Sequence, residues 1–251
     1  MIKPIIQEDI LFPFLIWERG INIFQRKGRV LLIGGEKDLK ETLVFSEAIY
    51  QCQIGKFTIT APEASKKILE QVIPKEIIYP MPPTSSLEEI KNIAPRYDLL
   101  VAGISSSRGE ETKKFLNKIA KLDFPFLLIE QEIIREKPTI YFFDLSDREY
   151  PLIEVEKLAD KYRQTILAVI QNGSITINKN QAVITQFNPK EVKIILAGLA
   201  SAIWSFNIDK PFESACTASY LTKVWQKEHL KIQEINKVIK KVELSMERGV
   251  K

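Results

Sequence analysis

Side chains able to do acid, base or nucleophilic chemistry are scarce in this chain of 251 residues, which has one histidine, His229, and two cysteines, Cys52 and Cys216. That count excludes a histidine-rich metal site, and any histidine-based triad would hang on His229 alone. His229 stands in a charged, helix-like stretch, Gln226-Lys227-Glu228-His229, where a solvated surface residue is the plainer reading. The cysteines lie in separate apolar helical patterns, Ala48–Cys52 and Ala215–Ala218, and read as small buried hydrophobes. With no Cys-x-x-Cys pair and no repeated spacing, neither a zinc site nor a disulfide framework is indicated. What remains is hydrogen bonding. Ser105, Ser106, Ser107 and Arg108 make a run of donors just after a strand-like segment, where open α/β sheets bind ligands. The same run suits a polar turn capping the next helix, with Glu110 and Glu111 in its first turn.

The elements that must hold these residues alternate. Short apolar runs occur at Arg29–Ile33, Phe57–Thr60, Glu76–Tyr79, Asp98–Ala102, Pro125–Ile129 and Thr139–Phe143. Most are apolar on both faces, as parallel strands covered by helices on either side must be. Helical patterns lie between or after them, over 39–53, 63–72, 85–94, 109–121 and 151–164. That rhythm predicts βαβ units with right-handed crossovers, and hence a doubly wound α/β fold. It then changes: Leu167–Ile170, Ser174–Ile177 and Ala182–Thr185 follow one another with turns at Asn172-Gly173 and Asn178-Lys179-Asn180. An antiparallel meander is expected, its first turn of type I′ because Asn-Gly tolerates the positive φ this turn needs. Two helices should close the chain, a buried one over 189–206 and a long, increasingly charged one over 211–247.

The last helix carries Trp225, Ile232, Ile235, Ile239, Val242 and Met246 at heptad-like spacing, broken by Glu228. This seam suits either a helix laid on its own domain or an intersubunit helix, and with the latter a homo-oligomer. The expected organisation is one α/β domain over 1–227, with an N-terminal arm over 1–25, and a helical extension over 228–251. Thirty-six basic against thirty-two acidic residues leave +4, too little to argue for a nucleic-acid partner. The charge-free run Ile194–Ile208 is short of the roughly 20 residues a membrane span requires, so no membrane partner is expected. The acidic start, Glu8-Asp9, does not suit a signal peptide, and a cytoplasmic protein is expected.

The order of these segments resembles a known family. Gly28–Gly35 is similar to the opening strand and glycine turn of ADP- or ATP-dependent NAD(P)H-hydrate dehydratases, and Phe57–Glu63 to their second strand and its Ala-Thr-Pro-Glu ending. Asp98–Ile104 sits where that family runs into a Gly-Pro-Gly-Leu-Gly loop. Leu196-Ala197-Gly198 followed by Pro211-Phe212-Glu213 resembles its last two helices. The resemblance spans about residues 26–227. It implies a ribokinase-like three-layer α/β/α fold, a mostly parallel sheet ending in the meander, and ADP or ATP with Mg²⁺ as the cofactor of an intact member. Gly103, Ser105, Ser106, Gly173 and Gly198 become the candidate nucleotide-binding positions. Glu130, Asp144 and Asp147 become candidates for lining the substrate crevice.

The departures fall in the loops. The family's Gly-Ser-Gly-Asp, an anion hole plus a proton-handling Asp, maps onto Glu191-Val192-Lys193-Ile194, so Ile194 stands at the acid's position and no glycine lets the backbone approach a phosphate. The glycine-rich loop is here Gly103-Ile104-Ser105-Ser106-Ser107. The positions of Asp-Ala-Asp-Ala-Leu and of Thr-Pro-His-Pro-Gly-Glu read Ile129–Ile133 and Phe143–Glu149, and Leu-Lys-Gly reads Gln171-Asn172-Gly173. Strand packing is preserved while the chemical loops are not. The resemblance with these losses implies a catalytically impaired member acting as a ligand-binding or assembly protein. An active dehydratase would need a phosphate cradle from other groups, such as Ser105–Arg108. A small-molecule kinase of the same fold would lack the same base. The acidic crevice disfavours nucleotide phosphates unless Mg²⁺ intervenes.

Overall fold

The computed structural model describes residues 2–7, 28–34, 38–71, 78–81, 87–104, 110–190 and 192–249. Its strands are β1 (Ile5–Ile6), β2 (Arg29–Ile33), β3 (Lys56–Pro62), β4 (Ile78–Met81), β5 (Leu99–Ala102), β6 (Phe126–Ile129), β7 (Thr139–Asp144), β8 (Thr165–Ile170), β9 (Gly173–Ile177) and β10 (Ala182–Gln186). Its helices are α1 (Leu39–Gln51), α2 (Glu63–Leu69), α3 (Leu87–Ile93), α4 (Glu110–Ile119), α5 (Pro151–Tyr162), α6 (Lys193–Phe206), α7 (Pro211–Lys227) and α8 (Ile235–Gly249). One sheet runs β1-β10-β9-β8-β7-β6-β5-β2-β3-β4. From β8 to β4 every pairing is parallel; β8-β9 and β9-β10 are antiparallel.

Successive residues of a strand point to opposite faces, and the core divides accordingly. Val30 and Leu32 of β2 pack in one cluster with Phe45 of α1, Leu196 and Trp204 of α6 and Leu221 of α7. Leu31 and Ile33 pack in the other with Ile90 of α3, Leu116 of α4 and Val155 of α5. These are the three layers the apolar strands required, and the doubly wound sheet ends in the expected meander.

Three features depart from expectation. The hairpin between β8 and β9 turns through Gln171 and Asn172, because Gly173 already pairs with Ile170 and with Gln186 of β10. Neither turn residue has a positive φ, so the turn is not type I′; Gly173 instead takes φ +144° inside the strand, where a Cβ would strike the Thr185 carbonyl. The long helix over 211–247 is broken. His229 adopts φ +52°, the Trp225 indole N–H donates to the Lys231 carbonyl at 3.1 Å, and a short 3₁₀ turn, Ile232–Glu234, precedes α8. Ile235, Val238, Ile239 and Val242 then bury themselves in the α1, α6 and α7 core, so the chain's own helices cover this part of the seam. Met246's side chain lies outside the described residues. Within the expected N-terminal arm, β1 adds parallel to β10, and buried Gln7 accepts a hydrogen bond from Thr185 Oγ1 at 2.7 Å; residues 8–27 lie outside the described ones.

Two contacts fix elements around the sheet, one between helices on its face and one at the amino ends of β6 and β7. Gly198, in the middle of α6, lies against α1 so closely that a Cβ there would meet Ala48 Cβ at 2.8 Å and the Phe45 carbonyl oxygen at 3.1 Å. The buried Arg135 guanidinium donates to the carbonyls of Ala120, Leu122 and Phe124 beyond α4 and lies over the Phe126 ring. Burial pulls its pKa down to about 10. The carbonyls past the end of a helix carry the partial negative charge that a carboxylate would otherwise supply. Replacing Gly198 with Val is expected to lower stability by about 1–3 kcal/mol, because neither α1 backbone nor Ala48 can yield cheaply. A shift of the urea midpoint at unchanged slope is the readout.

Candidate functional site

Strand order reverses at β2, which has β3 on one side and β5 on the other. Connections leave such a point in opposite directions and open a crevice beyond the strands' carboxyl ends. A cavity of about 590 Å³ lies there. Gly103 and Ile104 after β5, Glu130 after β6, Asp144 at the end of β7, and Ser146 and Asp147 after it form one wall. Asp38 and Glu41 at the start of α1, and Lys193 and Ile194 at the start of α6, form the other. A second cavity of about 490 Å³ shares Asp144, Ser146 and Lys193 and adds Asn188, Pro189 and Lys190.

Each wall follows from local sequence. Gly103 takes φ +108°, and a Cβ there would collide with the Ile129 carbonyl oxygen where β5 and β6 end together, so the position takes glycine on both counts. Asp38 caps α1, its carboxylate accepting from the N–H groups of Lys40 at 3.0 Å and Glu41 at 3.3 Å. The segment leading into α6 is clamped by Gln226 of α7, whose amide donates to the Asn188 carbonyl at 2.6 Å and accepts from its N–H at 2.7 Å. From Ile195 to Ser205 every residue of α6 is buried. Lys193 is the charged residue left at its first position, and it reaches back across the crevice.

There it meets Asp144. The Lys193 Nζ donates to Asp144 Oδ2 at 3.1 Å, while Oδ1 accepts from the Ser146 hydroxyl at 2.6 Å and the Ser146 N–H at 3.1 Å. Glu130, itself at φ +53°, accepts from the Asp144 N–H at 2.6 Å. Burial opposes ionisation of Asp144, but the Ser146 hydrogen bonds and the Lys193 ammonium outweigh it and hold the carboxyl below its ordinary value. Burial likewise opposes the charge on Lys193, and Asp144, with help from Glu41 and Glu130, holds its pKa up. Lys193 is the single cation on the larger cavity's wall among the described residues, against Asp38, Glu41, Glu130, Asp144 and Asp147.

The residues singled out by sequence separate into groups. Gly103, Glu130, Asp144, Asp147 and Ile194 are brought together in this cavity. Gly198 faces α1 and Gly173 faces β10, so neither lines it; both are glycines for packing. Ser105, Ser106, Ser107 and Arg108 lie outside the described residues. His229 is exposed at the break after α7, and Cys52 and Cys216 are buried thiols outside any disulfide. Lys193, Ser146, Asp38 and Glu41 were missed. Lys193 had a signal, being the last charge ahead of the apolar run that becomes α6; Asp38 had one as a helix N-cap.

No family model matches the chain. It is 27% identical over 233 residues to the bifunctional NAD(P)H-hydrate repair enzyme of Archaeoglobus fulgidus, covering 85% of this chain and 48% of that one. The chain thus spans about half the length of the curated relative it matches. Among solved structures it is similar to a hypothetical protein from Streptococcus mutans, at TM-score 0.74 and 16% identity over 96% of this chain and 99% of that one. A ribokinase-like superfamily protein from Enterococcus faecalis matches at TM-score 0.70 and 14% identity, over 93% and 92% of the two chains. The ADP/ATP-dependent NAD(P)H-hydrate dehydratase of Bacillus subtilis, co-crystallised with ATP and Mg²⁺, matches at TM-score 0.69 and 16% identity over 92% and 94%. The fold is ribokinase-like. The resemblance to the NAD(P)H-hydrate dehydratase family carried by the sequence is borne out by the relative from A. fulgidus.

The described residues do not fit a nucleotide polyphosphate. In the larger cavity five carboxylates face one ammonium, and that ammonium is already paired. No group of three or more His, Cys, Asp or Glu among the described residues is arranged to hold a metal ion.

The ion pair has a defined pH window. Asp144, held below its ordinary 3.8, contributes stability that is complete above that value and is lost as pH falls through the lower folded one. Lys193, held above its ordinary 10.5, contributes below that value and loses its share as pH rises through the higher folded one. Its side chain is 44% exposed and that of Asp144 28%, so solvent screening limits the pair to about 1 kcal/mol or less. Asp144→Asn is expected to be less stable than the parent by no more than that amount at neutral pH. The two urea midpoints should converge as pH is lowered past 3.8.

Proposed function

We propose that this chain is a divergent, cytoplasmic relative of the NAD(P)H-hydrate dehydratases that has kept the ligand crevice of the fold and lost the dehydration chemistry. The observation that carries this reading is the start of α6. Ile194 lines the cavity at the position where the family's sequence pattern has its acid, and Lys193 beside it is neutralised by Asp144.

Removing water from a damaged nicotinamide needs a group to take or give a proton at the reacting carbon and a site for the phosphate that activates the leaving hydroxyl. Isoleucine can do neither. Asp144 is a poor replacement, because a carboxylate kept ionised by two hydrogen bonds and an ammonium lies far from the pKa at which acid–base catalysis is efficient. The same lack weighs against a small-molecule kinase, which needs a base for the attacking hydroxyl.

Ligand binding is favoured over assembly. The seam expected to drive self-association is buried, from Ile235 to Val242, within the chain's own core. A concave cavity with convergent polar groups at the switch point of a parallel sheet is where such folds bind small molecules.

Incubation with NADH hydrate and ADP or ATP in the presence of Mg²⁺ is expected to leave the hydrate unconsumed. Ile194→Asp alone should remain inactive, because the glycine loop is absent as well. Recovery of NADH absorbance with either protein would overturn the assignment.

A further inference from the structure

We propose that the Asp144–Lys193 pair is a specificity device that closes this crevice to nucleotide polyphosphates and leaves it open to small uncharged or cationic ligands. The proposal rests on the reading of the cavity as a ligand site. It names two residues to which the sequence resemblance attaches no such role.

Lys193 belongs to the walls of both cavities at the carboxyl edge and stands at their junction. Among the described residues an anion in the larger cavity has this ammonium as its one cation, and in the smaller one it has Lys190 as well. Asp144 already satisfies it at 3.1 Å, and the carboxylate cannot swing away freely, because Ser146 holds its other oxygen by hydroxyl and backbone N–H. Glu130 fixes the backbone of Asp144 through its N–H. A phosphate would therefore have to break a preformed ion pair and then sit beside the released carboxylate, with Glu41 and Asp147 lining the same cavity. Like charges brought together in one cleft oppose binding, which is how binding sites reject a wrong ligand. An uncharged or cationic ligand meets no such barrier.

The arrangement makes Asp144 the removable half. Asp144→Asn keeps the side-chain shape, removes one negative charge and frees Lys193 to face the ligand. Isothermal titration with ADP in the absence of Mg²⁺ reads the effect directly. The parent is expected to show no binding, Asp144→Asn to gain affinity by about tenfold or more, the equivalent of 1.4 kcal/mol, and Asp144→Asn/Lys193→Gln to lose that gain. Should Asp144→Asn fail to fold by circular dichroism, Glu41→Gln/Asp147→Asn removes two carboxylates from the same cavity while leaving both members of the pair in place, and a gain in ADP affinity is expected there as well.

The proposal is overturned if the parent binds ADP as tightly as Asp144→Asn, if the gain survives Lys193→Gln, or if neither reduction of charge produces any gain. Its failure is separable from failure of the functional reading. A parent that binds ADP yet leaves NADH hydrate intact overturns this inference alone, whereas turnover of the hydrate overturns the loss of chemistry.

Discussion

The close approach of α6 to α1 at Gly198 is the constraint from which the site follows. Two helices can lie this near only where one presents no side chain, and α6 presents Gly198 to Ala48 and the Phe45 backbone. With its middle pinned there and its residues from Ile195 to Ser205 buried, α6 has little freedom along its axis or about it. Its first turn therefore arrives at a set place beyond β5, β6 and β7. Lys193 stands two residues ahead of the buried stretch, and its ammonium reaches into the crevice.

That geometry reassigns the electrostatics of the sheet's carboxyl edge. Helix N-termini at this edge favour anions through their free N–H groups and dipole. Here the carboxylate attracted to the start of α6 is supplied by the chain itself. Asp144 approaches from the end of β7, anchored by Ser146, and is paired with Lys193. The dehydratase of B. subtilis was crystallised with ATP and Mg²⁺, and the present chain shares its fold at 16% identity while its own crevice is lined chiefly by carboxylates. Conserved architecture and altered loops coexist because the strands are held by burial on both faces, whereas the loops answer only to the ligand.

Much of the fold was legible from local pattern. Strands such as Arg29–Ile33 and Thr139–Asp144 are apolar on both faces and flanked by charge or proline, so their sides are interchangeable and their burial unambiguous. The carboxylates Glu130, Asp144 and Asp147 were legible as well, because each follows a strand end closely. The type I′ turn at Asn172-Gly173 was misread because the ladder extends one pair further than composition suggests: Gly173 belongs to β9. The unbroken helix over 211–247 was misread because its heptad spacing continues across a break. Only the tertiary fit shows that Trp225 turns back to Lys231 and that His229 takes a left-handed conformation.

The sequence by itself determined the layers, since a run of residues apolar on both faces has no stable place except between two sheets of helices. It also determined which side chains are on hand for chemistry, an isoleucine at position 194 among them, because the type of side chain is a property of the chain and not of its folding. Only the tertiary structure decided which charges meet. Asp144 and Lys193 are 49 residues apart, and neither is exceptional in its own stretch. Their pairing depends on where β7 ends and where α6 begins, and both places are set by packing that no local pattern encodes.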